Sequence, residues 1–195
     1  MNRLIEKAMA VNSDSRMTPD ELEWLYGRFK DVYKGGNSLE IGAYKGMLSY
    51  LCAGIIDEYK GDEVGMHFIL DAFDIPIDID ELNTHRYEPH TVEMLMNNLG
   101  EYSKYVKPLR SKSLDWDGAH QVIETPFDYV FIDGDHRDPI VYLELCLVEG
   151  KVKHIFGHDY GWPGVTMSVD RFLARTGYKI IQPLPGRGVF EIIKE

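Results

Sequence analysis

Two short apolar runs break off into acidic and histidine residues. Tyr129-Val130-Phe131-Ile132 leads into Asp133-Gly134-Asp135-His136, and Ile155-Phe156 leads into Gly157-His158-Asp159-Tyr160. Apolar runs this short, bounded this sharply, read as strands buried on both faces. Such strands belong to parallel sheets covered by helices, which places the polar residues at their ends along one rim. In open α/β sheets ligands bind at the carboxyl rim, so Asp133, Asp135, His136, His158 and Asp159 are expected to share a site.

The rest of the chain alternates in the same way. Ser38 to Ile41, Met66 to Leu70, Tyr105 to Leu109, Val152 to Phe156, Tyr178 to Gln182 and Gly188 to Ile193 read as strands. Helical spacing predicts helices over 45–59, about 89–99, 138–147 and 163–176. Pro183 to Arg187 is short enough to join the last two strands as antiparallel neighbours. The expected fold is α/β: a doubly wound, Rossmann-like, mostly parallel seven-stranded sheet with an antiparallel C-terminal strand and helices on both faces. Residues 1–35 are expected to form an N-terminal helical segment packed on a domain of residues 36–195. In that segment Thr18-Pro19-Asp20-Glu21 is a capping box that starts a helix, which Gly35-Gly36 ends.

Composition narrows the function. The 195 residues suffice for one domain, and the formal net charge of −11 disfavours broad nucleic-acid or anionic-membrane binding. A basic patch of Lys104, Lys107, Arg110 and Lys112 reads as a solvated strand edge. No apolar stretch reaches the roughly 20 residues of a membrane span, and the first residues lack the apolar core of a signal peptide. Cys52 and Cys146 read as buried, reduced thiols, which suits a soluble cytoplasmic protein. Whether the chain forms homo-oligomers is not legible.

Glu40-Ile41-Gly42-Ala43-Tyr44-Lys45-Gly46 links the first strand to the first sheet helix. Gly42 and Gly46 permit a tight turn and close approach of a ligand. Tyr44 stands where a dinucleotide loop has its middle glycine, so a pyrophosphate would fit badly. Asp71 ends the second strand, where an acidic side chain either binds ribose hydroxyls or caps a turn.

Together, Glu40-x-Gly42-x-x-x-Gly46, Asp71, Ile132-Asp133-Gly134-Asp135-His136 and His158-Asp159-Tyr160 with Pro163-Gly164-Val165 resemble class I S-adenosylmethionine-dependent methyltransferases. More narrowly they resemble the small metal-dependent O-methyltransferases that include macrocin-type sugar O-methyltransferases and cephalosporin-biosynthesis relatives; catechol O-methyltransferase is a more distant likeness. The resemblance spans roughly residues 36–193. It implies S-adenosylmethionine as cofactor, with Glu40, Gly42 and Gly46 around its methionine part, Asp71 on the ribose and Ser113, or Ser111, at the adenine. Asp133 would lie at both cofactor and metal.

Methyl transfer to a hydroxyl requires an aligned acceptor that loses its proton. A divalent ion, Mg²⁺ by the resemblance, would be held by Asp133 and Asp159, with His158 either ligating or supporting. The relatives carry an acidic residue where this chain has His158. His136 is the candidate general base, with a structural role as the alternative. Arg137, Tyr160 and Trp162 fall on the acceptor side, and the run from Asp74 to Tyr87 reads as a lid or a solvated loop. The acceptor would be a small hydroxylated molecule. Two other readings compete: a glycosyltransferase using Asp133-Gly134-Asp135 as a DxD triplet, and a protein of this fold that binds cofactor without catalysis.

Overall fold

A computed structural model describes residues 2–12, 17–74, 90–184, 186 and 188–194. Two helices, α1 (Arg3–Val11) and α2 (Pro19–Val32), precede β1 (Ser38–Ile41), α3 (Met47–Glu58) and β2 (His67–Asp71). After α4 (Val92–Leu99) and a 3₁₀ turn at Gly100–Tyr105 come β3 (Val106–Arg110), α5 (Trp116–Glu124), β4 (Tyr129–Ile132) and α6 (Ile140–Val148). The described chain closes with β5 (His154–Gly157), α7 (Pro163–Thr176), β6 (Lys179–Ile181) and β7 (Phe190–Ile193). The strands form one seven-stranded sheet in the order β3-β2-β1-β4-β5-β7-β6. β1 to β5 pair in parallel, and β7 runs antiparallel to both its neighbours. The doubly wound expectation therefore holds.

Period-two side-chain alternation splits the core into two layers. Tyr129 and Phe131 face a cluster built with α1 to α4, whereas Val130 and Ile132 face one built with α5 to α7. Phe29 of α2 sits between Tyr129 and Phe131, with ring centroids 5.3 and 5.1 Å away. The order of the strands reverses between β1 and β4. The crevice above those two strands is the ligand position of doubly wound sheets.

The helix α5 was not anticipated. It buries only Gly118 and Val122 and leaves its largest apolar side chains, Trp116 and Ile123, exposed. The basic side chains on and around β3 lie beside acidic or aromatic partners: Lys104 is 3.4 Å from Asp57, Arg110 2.5 Å from Asp74, and Lys107 lies over the Phe68 ring. Cys52 is buried and Cys146 half-buried, and both are free thiols. Most of the run expected as a lid lies outside the described residues.

One polar tie anchors the N-terminal helices to the sheet. Glu191 of β7 is fully buried and accepts hydrogen bonds from Arg28 Nε (2.7 Å) and Nη2 (3.2 Å) and pairs with His154 Nδ1 at 2.6 Å. Burial pushes the Glu191 carboxyl up, but His154 and Arg28 outweigh it and hold its pKa below the usual value. Glu191→Ala should destabilise the fold by about 3 kcal/mol in urea titrations at neutral pH, since it leaves the Arg28 guanidinium unpaired and His154 without its carboxylate. Because the folded-state pKa is depressed, this stabilisation is complete above the ordinary glutamate range and is lost as pH falls through the folded value. The gap between wild type and variant should therefore close in acid; a gap that is constant with pH would contradict the charge pairing.

Candidate active site

The β1–α3 turn and the end of β4 are built against each other. Asp133 N–H donates to the Ile41 carbonyl at 2.9 Å, and Gly42 N–H donates to Leu70 at 3.0 Å. Gly42 has φ +84°, and a Cβ there would lie 2.3 Å from Gly134 Cα and 2.7 Å from the Asp133 carbonyl oxygen. The close approach expected at Gly42 is thus to the neighbouring strand's backbone. Gly46, at φ +91°, caps α3 and leaves room for Leu95 of α4.

Asp71 closes this turn. Its Oδ2 accepts from the N–H groups of Ala43 (2.7 Å) and Tyr44 (3.0 Å), and its Oδ1 accepts from Phe73 N–H (2.8 Å). His90 Nε2 lies 3.0 Å from the same Oδ1. Burial raises the Asp71 pKa, but these bonds, led by His90, bring it below the usual value. Glu40 sits beneath the turn, 1% exposed, where its Oε2 accepts from Ser49 Oγ (2.6 Å) and lies 2.8 Å from His67 Nε2. His67 Nδ1 in turn meets Ser38 Oγ at 2.8 Å, so Glu40 belongs to a buried polar chain.

Ser113 and Ser111 lie in the loop after β3. Ser113 Oγ donates to Glu144 Oε1 of α6 at 2.5 Å, and Ser111 Oγ donates to the Lys112 carbonyl at 3.1 Å. Glu144 is 1% exposed and its Oε2 has no hydrogen-bond partner among the described residues; burial pushes its pKa up to about 7. Sequence reasoning missed Glu144, an acidic residue within an otherwise apolar helix.

At the tips of β4 and β5, Asp133, His136 and Asp159 each offer a ligating atom, and these atoms all lie within 4.8 Å of one another. A divalent ion with bonds of about 2.0–2.4 Å fits such a set. His136 Nε2 is 2.6 Å from Asp159 Oδ2. Burial raises the Asp159 pKa, but hydrogen bonds from His136 and His158 hold it well below the carboxylate range. Burial opposes the charge on His136, yet the bond and charge of Asp159 raise its pKa above the usual value. Burial pushes Asp133 up to about 7, with the nearby charge of Asp159 adding to it.

His158 falls outside the convergent set. Its Nδ1 is 3.2 Å from Asp159 Oδ2 and 3.7 Å from Asp133 Oδ1, and its Nε2 is 3.4 Å from Oε1 of Glu21. Although burial opposes it, these three carboxylates raise its pKa to about 9. His158 thus stands beside the two acids as a charged partner, and His136 is the histidine of the convergent set. Glu21 was missed as a site residue, although its capping box was legible: Thr18 N and Oγ1 both donate to its Oε2 at 2.8 Å. Its Oε1 accepts from Gly188 N–H at 3.0 Å, so α2 reaches the site from below.

Of the residues expected on the acceptor side, Trp162 is 42% exposed with its ring centroid 6.1 Å from that of His136. Tyr160 is committed to Asp170 at 2.7 Å. Asp135 accepts from Arg137 N–H at 2.8 Å and pairs with its guanidinium at 2.5 Å, which makes it a loop cap.

The sheet order is a doubly wound fold that this chain shares with solved O-methyltransferases. Among the solved structures that share it is the O-methyltransferase NovP, at TM-score 0.69 and 17% identity, with 92% of this chain and 83% of that chain covered. The calicheamicin methyltransferase CalS11 matches at TM-score 0.64 and 14% identity, over 97% of this chain and 91% of that one. An O-methyltransferase from Bacillus cereus in complex with SAH matches at TM-score 0.63 and 16% identity, over 100% and 92%. No protein-family model matches the chain, and no curated protein is similar to it at a significant level. No helix among the described residues is long and apolar enough to cross a membrane.

Proposed function

We propose that this protein is an S-adenosylmethionine-dependent O-methyltransferase acting on a small hydroxylated molecule, with a divalent ion at the rim of β4 and β5. The observation that carries this reading is the convergence of Asp133, His136 and Asp159 beside the Gly42 turn, at the point where strand order reverses. Asp133 and Asp159 would hold the ion, and His136, within reach of both, would stay off it and serve as the base. When bound, the sulfonium supplies an activated methyl group, and the ion supplies charge that fixes and acidifies the acceptor hydroxyl.

The protein's own groups handle the proton. Asp159 engages one ring nitrogen of His136 and fixes the ring, as a carboxylate orients a catalytic base. His136 would then take the hydroxyl proton. The cation on His158 offsets part of the repulsion between Asp133 and Asp159. Trp162, partly exposed next to His136, would offer an aromatic face to the acceptor.

Nothing favours the glycosyltransferase reading, because Asp135, the second acid of the DxD triplet, is taken up by Arg137. Calorimetric titration separates the two: S-adenosylhomocysteine should bind and UDP-glucose should not. No heat with S-adenosylhomocysteine at about 1 mM would overturn the proposal. Mn²⁺ titration should show a site that Asp133→Asn weakens at least tenfold. Chelation should lower turnover, and Mg²⁺ or Mn²⁺ should restore it. Full turnover in excess chelator would remove the ion from the account.

A further inference from the structure

We propose that His90 competes with the cofactor's ribose for Asp71, so that the nucleoside seats fully only once His90 has left the carboxylate. The inference rests on the cofactor reading above. An ionised carboxylate has room for about four hydrogen bonds. Asp71 already has four partners among the described residues: the N–H groups of Ala43 and Tyr44 on Oδ2, and Phe73 N–H and His90 Nε2 on Oδ1. A ribose diol brings two further donors and finds no vacant acceptor position.

The four partners are not equally replaceable. Three are backbone amides, and losing them would undo the turns that follow β1 and β2. His90 is the one side chain, and it can leave by rotating about its own bonds. An ionised carboxylate only accepts, so His90 Nε2 carries the proton in this contact. That N–H would be exchanged for a ribose O–H, and the imidazole would turn towards water.

The surroundings of His90 fit such a cover. The residue is only 8% exposed, with its ring 5.3 Å from Tyr44 and 5.7 Å from Phe73 between centroids. Tyr44 and Phe73 both have left-handed backbones, at φ 49° and 48°, which non-glycine residues adopt at a cost. The amides of these same two residues donate to Asp71, so the carboxylate holds both strained turns in place while His90 closes over it.

The test is calorimetry with S-adenosylhomocysteine on wild type, His90→Phe and His90→Gln. Phenylalanine keeps a ring between Tyr44 and Phe73 and deletes the donor; glutamine keeps a donor. His90→Phe should bind about tenfold tighter, the effect of one hydrogen bond to a charged group, and His90→Gln should stay near wild type. An S-adenosylhomocysteine analogue without ribose hydroxyls should lose the advantage of His90→Phe. A second reading needs no variant: in long-range ¹H–¹⁵N spectra of the wild type, the His90 ring signals should shift on saturation. Equal or weaker binding by a folded His90→Phe, or an unmoved His90 ring in saturated wild type, would overturn the competition alone. Wild type that binds no S-adenosylhomocysteine would overturn the cofactor reading, and the competition with it.

Discussion

His136→Ala should slow methyl transfer by on the order of 10²–10⁴ while S-adenosylhomocysteine affinity stays at the wild-type value. The imidazole faces Asp159 and Trp162, and the Gly42 turn is built from other residues, so the loss belongs to kcat. Because Asp159 raises the His136 pKa above its ordinary value, the neutral, proton-accepting form accumulates only at correspondingly higher pH. The wild-type rate should therefore rise with pH through an acidic limb displaced above the usual histidine range, and the variant should lose that limb. A variant with the wild-type rate and the same limb would make His136 a structural residue.

Gly42→Val should cost about 3 kcal/mol or more of folding stability, and Gly42→Ala nearly as much. A Cβ alone would lie 2.3 Å from Gly134 Cα, and neither backbone can yield without breaking the pairing of β1 with β4. The positive φ adds strain for any side chain. Chemical denaturation reads this directly. A valine variant that melts like wild type but fails to bind S-adenosylhomocysteine would mean that the glycine makes room for ligand instead of for Gly134.

The legible parts of this protein share one property: local order. Apolar runs ending in Asp133 and Asp159 marked the strand tips, because strand burial and the rim positions are both written in consecutive residues. The doubly wound sheet followed from the alternation of such runs with helical spacing. What escaped depends on partners distant in the chain. Glu21 spells a capping box, and only the folded chain brings it to His158, 137 residues on. Glu191 is paired with Arg28 163 residues away, and an acid in a short apolar strand carries no sign of its partner. His90 follows a polar stretch with no periodicity, so its bond to Asp71 had no local trace. The Glu21 carboxylate that joins Asp133 and Asp159 around His158 comes from a distant helix, so the charge on that imidazole had no trace in its neighbours in sequence.

The most direct measurement of the central claim is a crystal structure with S-adenosylhomocysteine and Mn²⁺, with anomalous scattering locating the ion. The account predicts the nucleoside beside the Gly42 turn with its ribose on Asp71, and one Mn²⁺ peak between Asp133 and Asp159. Cofactor bound elsewhere, or a Mn²⁺ peak that avoids both Asp133 and Asp159, would contradict it.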